Sequence, residues 1–425
     1  MIEKIPVGRG YNFIDLFAGA GGLSEGFIQA GFEPLAHVEM NQYAARTLET
    51  RTCYYYLKNS GKTDLYNDYL KGDLTREELL SMVPEEHRGN VICEAMSDKS
   101  LPGIFEKIDN SLKSRAVNRV DVIIGGPPCQ AYSLVGRAQS SHMYIPMSED
   151  PRNELYKLYA RFLKKYQPRM FVFENVMGIE SANGGKTWKN IQKYLKRVGY
   201  SIEFHEQNAS DFGVLQNRRR MIIVGWLKNS GLHYPAFEKT DPEAKVEDLF
   251  TDLPDLKPGE KSSVYSEKEP SAYVVNYGIR EKDDVLTLHA ARHNNERDIE
   301  IYKKAISLWL NDGKRLDYND LPEELKTHNN RHSFTDRFKV VEAGDKCCHT
   351  ILAHLSRDGH YFIFPDPDQH RSITVREAAR IQSFPDNYFF EGPRGAQFVQ
   401  IGNAVPPLMA YGIAKGIAKE LKQER

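Results

Sequence analysis

The stretch YNFIDLFAGAGGLSEGF, at residues 11–27, carries the strongest structural signal in the chain. It begins with a short apolar run of β type, and the turn AGAGG that follows contains only alanine and glycine. The next residues have apolar side chains at helical spacing, and Gly31 is a typical signal for the end of a helix. A strand, a glycine-rich turn and a helix in this order open an α/β fold, and the start of such a helix can bind an anion.

Four more apolar runs follow along the chain, separated by helical patterns. They are PLAHVEM (34–40), VDVIIGG (120–126), PRMFVFENV (168–176) and RRRMIIVGWL (218–227). Short apolar runs that alternate with helices predict a parallel sheet covered by helices. The predicted fold class is therefore α/β, with a Rossmann-like sheet.

Two segments interrupt this alternation. Residues 53–90 are polar and rich in tyrosine, and we interpret them as an insertion. Residues 228–350 are polar and irregular, and they predict a separate, smaller domain. We therefore expect a main domain at 1–227 and a C-terminal segment at 351–425 that returns to it.

The composition is that of an ordinary globular protein, with 425 residues, 40% hydrophobic residues and a formal net charge of −1. No apolar run approaches the 18 residues that a membrane span needs, and the N-terminus lacks the apolar stretch of a signal peptide. The five scattered cysteines favour a reducing cytoplasm over a disulfide framework. Between Arg152 and Arg220, 14 Lys and Arg residues face 6 Asp and Glu residues, which is either a nucleic-acid surface or a solvated helical face.

The glycine-rich turn is a candidate ligand site. Glu39 ends the second predicted strand, where a carboxylate would bind ribose hydroxyls. Phe17 suits a flat purine or a sulfonium cation. The pattern Gly19, Gly21, Ser24 lacks the third glycine of the dinucleotide fingerprint. A nucleotide-like ligand, the dinucleotide of an oxidoreductase and a tight turn without a ligand remain the alternatives at this point.

A second candidate site is GGPPCQAYS (125–133), at the end of the strand VDVIIGG. Ligands of such sheets bind beyond the carboxyl ends of the strands, where Cys129 is presented after two prolines. Most lone cysteines are small buried hydrophobes. The polar flanks of Cys129, which include Gln130 and Ser133, favour a reactive thiol instead.

Charged residues at the ends of two other apolar runs are further candidates for the site. Glu174 ends the run FVFE and should lie at the same edge as Cys129. The partial burial expected there is what a general acid needs near neutral pH, whereas the ordinary alternative is a glutamate bound to a helix N-terminus. Arg218 and Arg220 in QNRRR are two residues apart on an extended segment, so they should point the same way. Such a pair could contact a phosphate and a base carbonyl, or form a surface salt-bridge cluster.

In their order along the chain, these stretches resemble the DNA (cytosine-5) methyltransferase family of prokaryotic and phage restriction–modification type. The matching stretches are FIDLFAGAGGLSEGF, HVEMN, GGPPCQAYS, FENV, QNRRR, TVREAARIQSFPD (374–386) and QIGNAVPP (400–407). One such match would be weak evidence, but seven in the same order are strong evidence. Only 53–120 and 228–350 lack a clear family pattern.

The resemblance implies a methyltransferase sheet that binds S-adenosyl-L-methionine and releases S-adenosyl-L-homocysteine. Phe17 would pack on the adenine, Glu39 would bind the ribose and Met40 would cover the other face of the adenine. Glu94 would contact the adenine amine, with Asp73 as the alternative. The other cofactor residues implied are Ala18, Gly19, Gly21, Gly22, Leu23, Pro127, Leu155, Asn403, Ala404 and Val405.

The resemblance also implies the chemistry. Cys129 would add to carbon 6 of a cytosine flipped out of double-stranded DNA, and carbon 5 would then accept the methyl group. Glu174 would hold or protonate ring nitrogen 3, and Arg220 would bind the ring carbonyl. Arg218 would bind a phosphate or the catalytic loop, and Gln130 and Ser133 would contact the substrate.

The segment 228–350 lies where the family has its target-recognition domain. Its stretches ARHNNERD (291–298) and THNNRHSFTDRF (327–338) suit phosphates and base edges, although most such side chains are plain surface. The sequence Cys347-Cys348-His349 lacks the usual spacing of zinc ligands, so we expect no metal. We expect a monomer in the prokaryotic cytoplasm that acts beside a cognate restriction endonuclease or another defence partner.

Three rival interpretations remain. An RNA cytosine-5 methyltransferase would share these stretches and differ in substrate. A DNA-binding module with an inactive site would need a broken motif, yet Cys129, Glu174 and Arg220 are present. A nicotinamide oxidoreductase would explain only the first two stretches.

Overall fold

The computed structural model describes residues 10–127, 155–333 and 335–423. Its centre is a seven-stranded sheet with the order β3-β2-β1-β4-β5-β7-β6. The strands are β1 Asn12–Leu16, β2 Glu33–Glu39, β3 Val91–Cys93, β4 Val122–Gly125, β5 Met170–Asn175, β6 Tyr200–Asn208 and β7 Arg219–Leu227. Two short strands, β8 Lys261–Ser262 and β9 His289–Ala290, form a separate ribbon. The predicted α/β fold class is confirmed, and all five predicted apolar runs are strands of the large sheet.

The predicted parallel sheet is confirmed except at one edge, where the strands pair antiparallel. Strands β1 to β5 pair in parallel, but β7 pairs antiparallel with both β5 and β6. A short connection joins β6 to β7, and a short connection permits only antiparallel pairing. Strand β6 has no counterpart among the predicted strands, because only its first residue is buried and it lacks a continuous apolar run.

Helices cover both faces of the sheet and form the outlying parts. They are α1 Gly22–Gln29, α2 Gln42–Asn59, α3 Thr63–Lys71, α4 Arg76–Ser81, α5 Glu85–Arg88, α6 Leu101–Ser114, α7 Leu155–Tyr166, α8 Lys186–Arg197, α9 Ala272–Asn276, α10 Glu296–Asp312, α11 Val375–Ile381, α12 Arg394–Asn403 and α13 Pro407–Gln423. Among the described residues, no helix is both long enough and apolar enough to cross a bilayer.

Successive side chains of a strand point to opposite faces of the sheet, so alternate residues belong to two separate cores. Ile14 and Leu16 pack with α6, α7 and α8 on one face. Phe13 packs with α1 and α13 on the other face. The last helix of the chain is therefore a layer of the domain that the first strand begins.

The tyrosine-rich segment starts inside α2 and continues through α3, α4 and α5. These helices form a small core of their own from Cys53, Tyr54, Leu57, Tyr66, Leu79 and Val83. Hydrogen bonds join this unit to a distant part of the chain, because Tyr66 Oη donates to the carbonyl oxygen of Asn387 at 2.9 Å. Tyr69 Oη likewise donates to Glu391 at 2.7 Å.

Two more apolar clusters lie outside the sheet. One combines residues from 246–286 with residues from 341–404, and the other is formed within 301–363. Buried ion pairs cross the first cluster: the guanidinium of Arg380 in α11 binds Asp252 and Asp386, with closest distances of 2.6 Å to each. The segment around Asp252 is thus attached to the C-terminal part of the chain by charge as well as by apolar contact.

Candidate active site

The predicted site residues that the structure describes gather at the carboxyl edge of the sheet. The glycine-rich turn follows β1, Glu39 ends β2, and Glu94 follows β3. Pro127 follows β4, and Glu174 lies at the end of β5. Cys129, Gln130 and Ser133 lie outside the described residues.

The glycine-rich turn has an open side and a closed side. Gly19 has a φ of 55°, and a Cβ placed there would meet no atom within 4 Å. Gly21 has a φ of 81°, and a Cβ there would lie 2.7 Å from Leu48 and 2.8 Å from the hydroxyl of Tyr388. Glycine is needed at Gly21 for two reasons, because other residues tolerate neither this φ nor this packing well.

Glu39 bonds the turn directly. Its carboxylate accepts hydrogen bonds from the backbone N–H of Gly19 at 2.8 Å and from that of Asn41 at 2.7 Å. Burial raises the pKa of Glu39, and these backbone donors oppose the rise. Next to it, the side chain of Met40 is 68% exposed, and Phe17 is partly buried. Glu39 is therefore bonded to the turn at Gly19, and Met40 directly follows it in the chain.

The structure separates the two candidates for the adenine-contacting acid. The backbone N–H of Glu94 donates to the carbonyl oxygen of Glu39 at 2.9 Å, so Glu94 stands beside the ribose candidate. Its carboxylate lies 3.2 Å from Lys107 in α6. Asp73, in contrast, is exposed between α3 and α4.

Glu174 and Arg220 form an ion pair, with 2.8 Å between Oε1 and Nε. Both side chains are largely buried, with 17% and 13% of their surfaces exposed. The segment after β4 packs against this pair, because a Cβ on Gly126 would lie 2.8 Å from Oε2 of Glu174. Asn175 also donates to the carbonyl oxygen of Pro127 at 3.2 Å. Gly126 and Pro127, which precede Cys129 in the sequence, are thereby fixed against β5.

Arg218 requires a correction. Its side chain is fully buried, and its guanidinium donates to the carbonyl oxygens of Ile351 at 2.8 Å and Gly402 at 3.0 Å. A guanidinium in this position is turned away from solvent, which argues against the predicted phosphate contact, whereas the predicted alternative, a contact with the catalytic loop, involves residues outside the described ranges. The guanidinium joins the start of β7 to the C-terminal segment instead. Arg219 is the exposed member of the trio and pairs with Glu206 on β6.

The C-terminal residues lie directly behind the turn. A Cβ on Gly22 would lie 2.2 Å from the carbonyl oxygen of Val405 and 3.1 Å from the Cβ of Ala404. Asn403 is exposed at the end of α12, and Leu155 is partly buried at the start of α7. Ala18 and Leu23 are buried within the turn and the first turn of α1.

Two features escaped the sequence analysis. Tyr388 donates its hydroxyl hydrogen to the carbonyl oxygen of Ala20 at 2.5 Å. Below the turn, Ser24 donates to Asp15 at 2.5 Å and lies 3.1 Å from Nδ1 of His37. The only signals for these contacts are a polar residue inside an apolar strand and a tyrosine just after the stretch QSFPD.

The comparisons with known proteins agree with this geometry. A sequence model described as C-5 cytosine-specific DNA methylase matches residues 11–75 and 92–419. The Type II methyltransferase M.Bpa9945I of Bacillus paralicheniformis is 41% identical over 95% of this chain and 98% of its own length. The Type II methyltransferase M1.HphI of Haemophilus parahaemolyticus is 32% identical over 96% of this chain and 86% of its own.

The fold is also found in a solved structure. A protein from an Escherichia coli prophage, described as a DNA modification methyltransferase, superposes with a TM-score of 0.63. It is 23% identical and covers 97% of this chain and 100% of its own. The sheet and the edge residues thus define a Rossmann-like methyltransferase. More narrowly, the chain belongs to the C-5 cytosine-specific DNA methylases, the DNA (cytosine-5) methyltransferases of type II restriction–modification systems.

Proposed function

We propose that the chain transfers a methyl group from S-adenosyl-L-methionine to carbon 5 of a cytosine that is flipped out of a specific double-stranded DNA sequence. The observation that carries this proposal is the Glu174–Arg220 ion pair, with Pro127 held against its strand two residues before Cys129. This arrangement lies at the same sheet edge as the glycine-rich turn. An acid, a cation and a thiol can therefore act on one base beside one cofactor.

The residues around the turn fit S-adenosyl-L-methionine. The open side at Gly19 leaves room for a ligand against the backbone, while Gly21 is closed from behind. Phe17 and Met40 would hold the adenine, Glu39 the ribose and Glu94 the adenine amine. Ala18 to Leu23, Pro127, Leu155 and Asn403 to Val405 would complete the site. When bound, S-adenosyl-L-methionine supplies an electrophilic methyl group.

The chain's own residues prepare the base. The thiolate of Cys129 forms a bond to carbon 6, and the electron pair displaced from the double bond makes carbon 5 nucleophilic. Glu174 holds or donates a proton at ring nitrogen 3, which relieves the negative charge of the adduct. Arg220 fixes the carboxyl of Glu174 and binds the ring carbonyl. After methylation, carbon 5 loses its proton to a base, the double bond re-forms, and the thiolate leaves.

The partner and the domain roles form part of the same proposal. Residues 1–227 bind the cofactor and catalyse, 228–350 recognise the target, and 351–425 complete the catalytic domain. The ring carbons of a base inside a stacked duplex are out of reach of an enzyme's nucleophile, so the enzyme must flip the base out. The kinship with type II methyltransferases supports a cognate restriction endonuclease as the partner, and the proposal includes a monomer in a prokaryotic cytoplasm.

The test is transfer of a tritiated methyl group from S-adenosyl-L-methionine to unmodified genomic DNA and, in parallel, to total RNA. Label in DNA that maps to cytosines by bisulfite sequencing, and that is lost in Cys129→Ser, is the expected result. Cys53→Ser is the matched control, because this buried thiol lies in the small core that the inserted helices form. Label in RNA alone would replace the DNA substrate with an RNA substrate. No label in either would contradict the proposed activity.

A further inference from the structure

A tyrosine far away in sequence holds the closed side of the glycine-rich turn. Tyr388 is buried, and its hydroxyl donates to the carbonyl oxygen of Ala20 at 2.5 Å. Burial holds the pKa of this hydroxyl well above its usual range, so it remains a hydrogen-bond donor at any physiological pH. The same hydroxyl would lie 2.8 Å from a Cβ on Gly21, so it fills the space that the glycine leaves.

The bond to Ala20 acts at a sensitive point of the turn. Ala20 stands between Gly19, whose N–H bonds Glu39, and Gly21, whose N–H bonds the carbonyl oxygen of Ala18 at 2.9 Å. The orientation of one peptide plane restricts the orientations of the neighbouring peptide planes, because each residue has only two soft dihedral angles. Glycine leaves those angles free, so an external bond is needed to select one orientation.

The ring of Tyr388 is itself in contact with a buried cation. The guanidinium of Arg51 in α2 lies 4.7 Å from the centre of the Tyr388 ring. Arg51 also binds both carboxylate oxygens of Glu25 in α1, at 2.6 and 2.9 Å, and the side-chain oxygen of Asn387 at 2.8 Å. It thus connects the helix that starts at the turn with the residue before Tyr388.

The inserted helices add to this support. Tyr66 of α3 donates to the carbonyl oxygen of Asn387, and its ring packs on Tyr54 with 5.0 Å between centroids. Asn387 is nearly fully buried and therefore keeps a fixed position. The tyrosine-rich segment consequently supports the backbone on which Tyr388 is mounted.

We propose that Tyr388 is a positioning residue for the cofactor: its hydroxyl orients the Ala20 carbonyl and so presets the turn that binds S-adenosyl-L-methionine. This inference rests on the proposed cofactor site. Tyr388 does not touch the open side of the turn, so its effect passes through the backbone. A preset turn loses less conformational entropy on binding, and the gain is expressed in affinity for the cofactor.

The test compares Tyr388→Phe with Tyr273→Phe in the full-length protein. Tyr273 is the matched control, because it too is buried and donates to a backbone carbonyl oxygen, that of Gly213 at 2.7 Å. Titration calorimetry with S-adenosyl-L-homocysteine measures Kd, and methyl transfer to DNA measures KM for S-adenosyl-L-methionine and kcat. Thermal unfolding of both variants measures the loss of stability.

For Tyr388→Phe we expect Kd and KM to rise about 5- to 30-fold, because an unpaired carbonyl no longer selects one peptide orientation. We expect kcat to stay within about twofold, since no contact with the reacting atoms is lost. Tyr273→Phe should lose similar thermal stability and keep the affinity of the wild type. Unchanged affinity in Tyr388→Phe, or an equal loss in both variants, would overturn the positioning role. Failure of the wild type to bind S-adenosyl-L-homocysteine would instead overturn the cofactor site itself.

Discussion

Arg220 and Glu174 meet on neighbouring antiparallel strands, and their charged groups lie 2.8 Å apart beside the segment that leads to Cys129. Glu174→Gln keeps an oxygen for Arg220 but removes the transferable proton. We expect kcat to fall by about 100-fold or more, while the affinity for S-adenosyl-L-homocysteine stays the same. Single-turnover methylation and calorimetry measure the two quantities. Glu180→Gln, an exposed acid just beyond the same strand, should behave as wild type. An active Glu174→Gln would remove Glu174 from the mechanism.

The adjacent residues Arg218 and Arg219 allow a second test. Arg218→Met leaves the carbonyl oxygens of Ile351 and Gly402 without their donor, and we expect about 2–5 kcal/mol of lost stability in urea unfolding. Arg219→Met removes an exposed ion pair and should cost no more than about 1 kcal/mol.

The salt dependence of DNA binding tests the correction made for Arg218. A residue that binds no phosphate leaves the slope of log Kd against log salt concentration unchanged. We therefore expect Arg218→Met to retain the wild-type slope. A slope that is smaller by about one would restore the phosphate contact that the sequence suggested.

Asp15 gives a prediction for the pH dependence of stability. Burial raises its pKa from 3.8 to about 8, so the folded protein keeps this proton over a range in which the unfolded chain has lost it. Stability should therefore fall as the pH rises from about 4 to about 8, by up to about 1.4 kcal/mol per pH unit. Asp15→Asn accepts the same bond from Ser24 and lacks this titration.

Urea unfolding at pH 5, 6, 7 and 8 measures the free energy of unfolding. The value for Asp15→Asn, relative to that for the wild type, should increase with pH. His37, whose pKa burial lowers to about 4, acts in the opposite direction below pH 6.5, but it is present in both proteins and cancels in the comparison. Asp73→Asn, at an exposed position, is the control for the replacement of a carboxylate by an amide. Parallel curves for Asp15→Asn and wild type would contradict the prediction.

Substitution of two different glycines by alanine separates the steric effect of an added Cβ from its effect on backbone flexibility. Gly22→Ala places a Cβ 2.2 Å from the carbonyl oxygen of Val405, so the C-terminal segment must move away. We expect about 1–3 kcal/mol of destabilisation and weaker binding of S-adenosyl-L-homocysteine. Gly103→Ala in α6 meets nothing within 4 Å and should stabilise the protein by about 0.5–1 kcal/mol. Thermal unfolding and calorimetry decide both cases, and an unperturbed Gly22→Ala would mean that the tail does not close the turn.

The sequence predicted those features that depend on local pattern. The strand that ends at Glu39 and the turn at Gly19 follow from apolar runs and small residues, and both stand at the predicted edge. Glu174 was assigned to this edge by the general placement of ligands beyond strand ends. Arg220 stands at the start of β7, so it reaches the same edge only because β7 runs antiparallel to β5, and the ion pair between them was not predicted.

Other features depend on contacts between residues that are distant in sequence, and local sequence patterns do not predict such contacts. Arg218 and Arg220 look alike on an extended segment, yet one is buried against Gly402 and the other pairs with Glu174. Tyr388 and Ala20 are 368 residues apart in sequence. The direction of β7 was missed for the same reason, because an apolar run gives no sign of its orientation in a sheet.

The contact of α1 with α13 has a consequence for synthesis. The glycine-rich turn is translated almost at once, but Val405 and Tyr388, which close it, come nearly 400 residues later. At about 5–20 residues per second, tens of seconds separate the two events on the ribosome. During that interval the nascent chain holds a glycine-rich turn without the residues that pack behind it. The proposed cofactor site would therefore form only after translation has passed Val405.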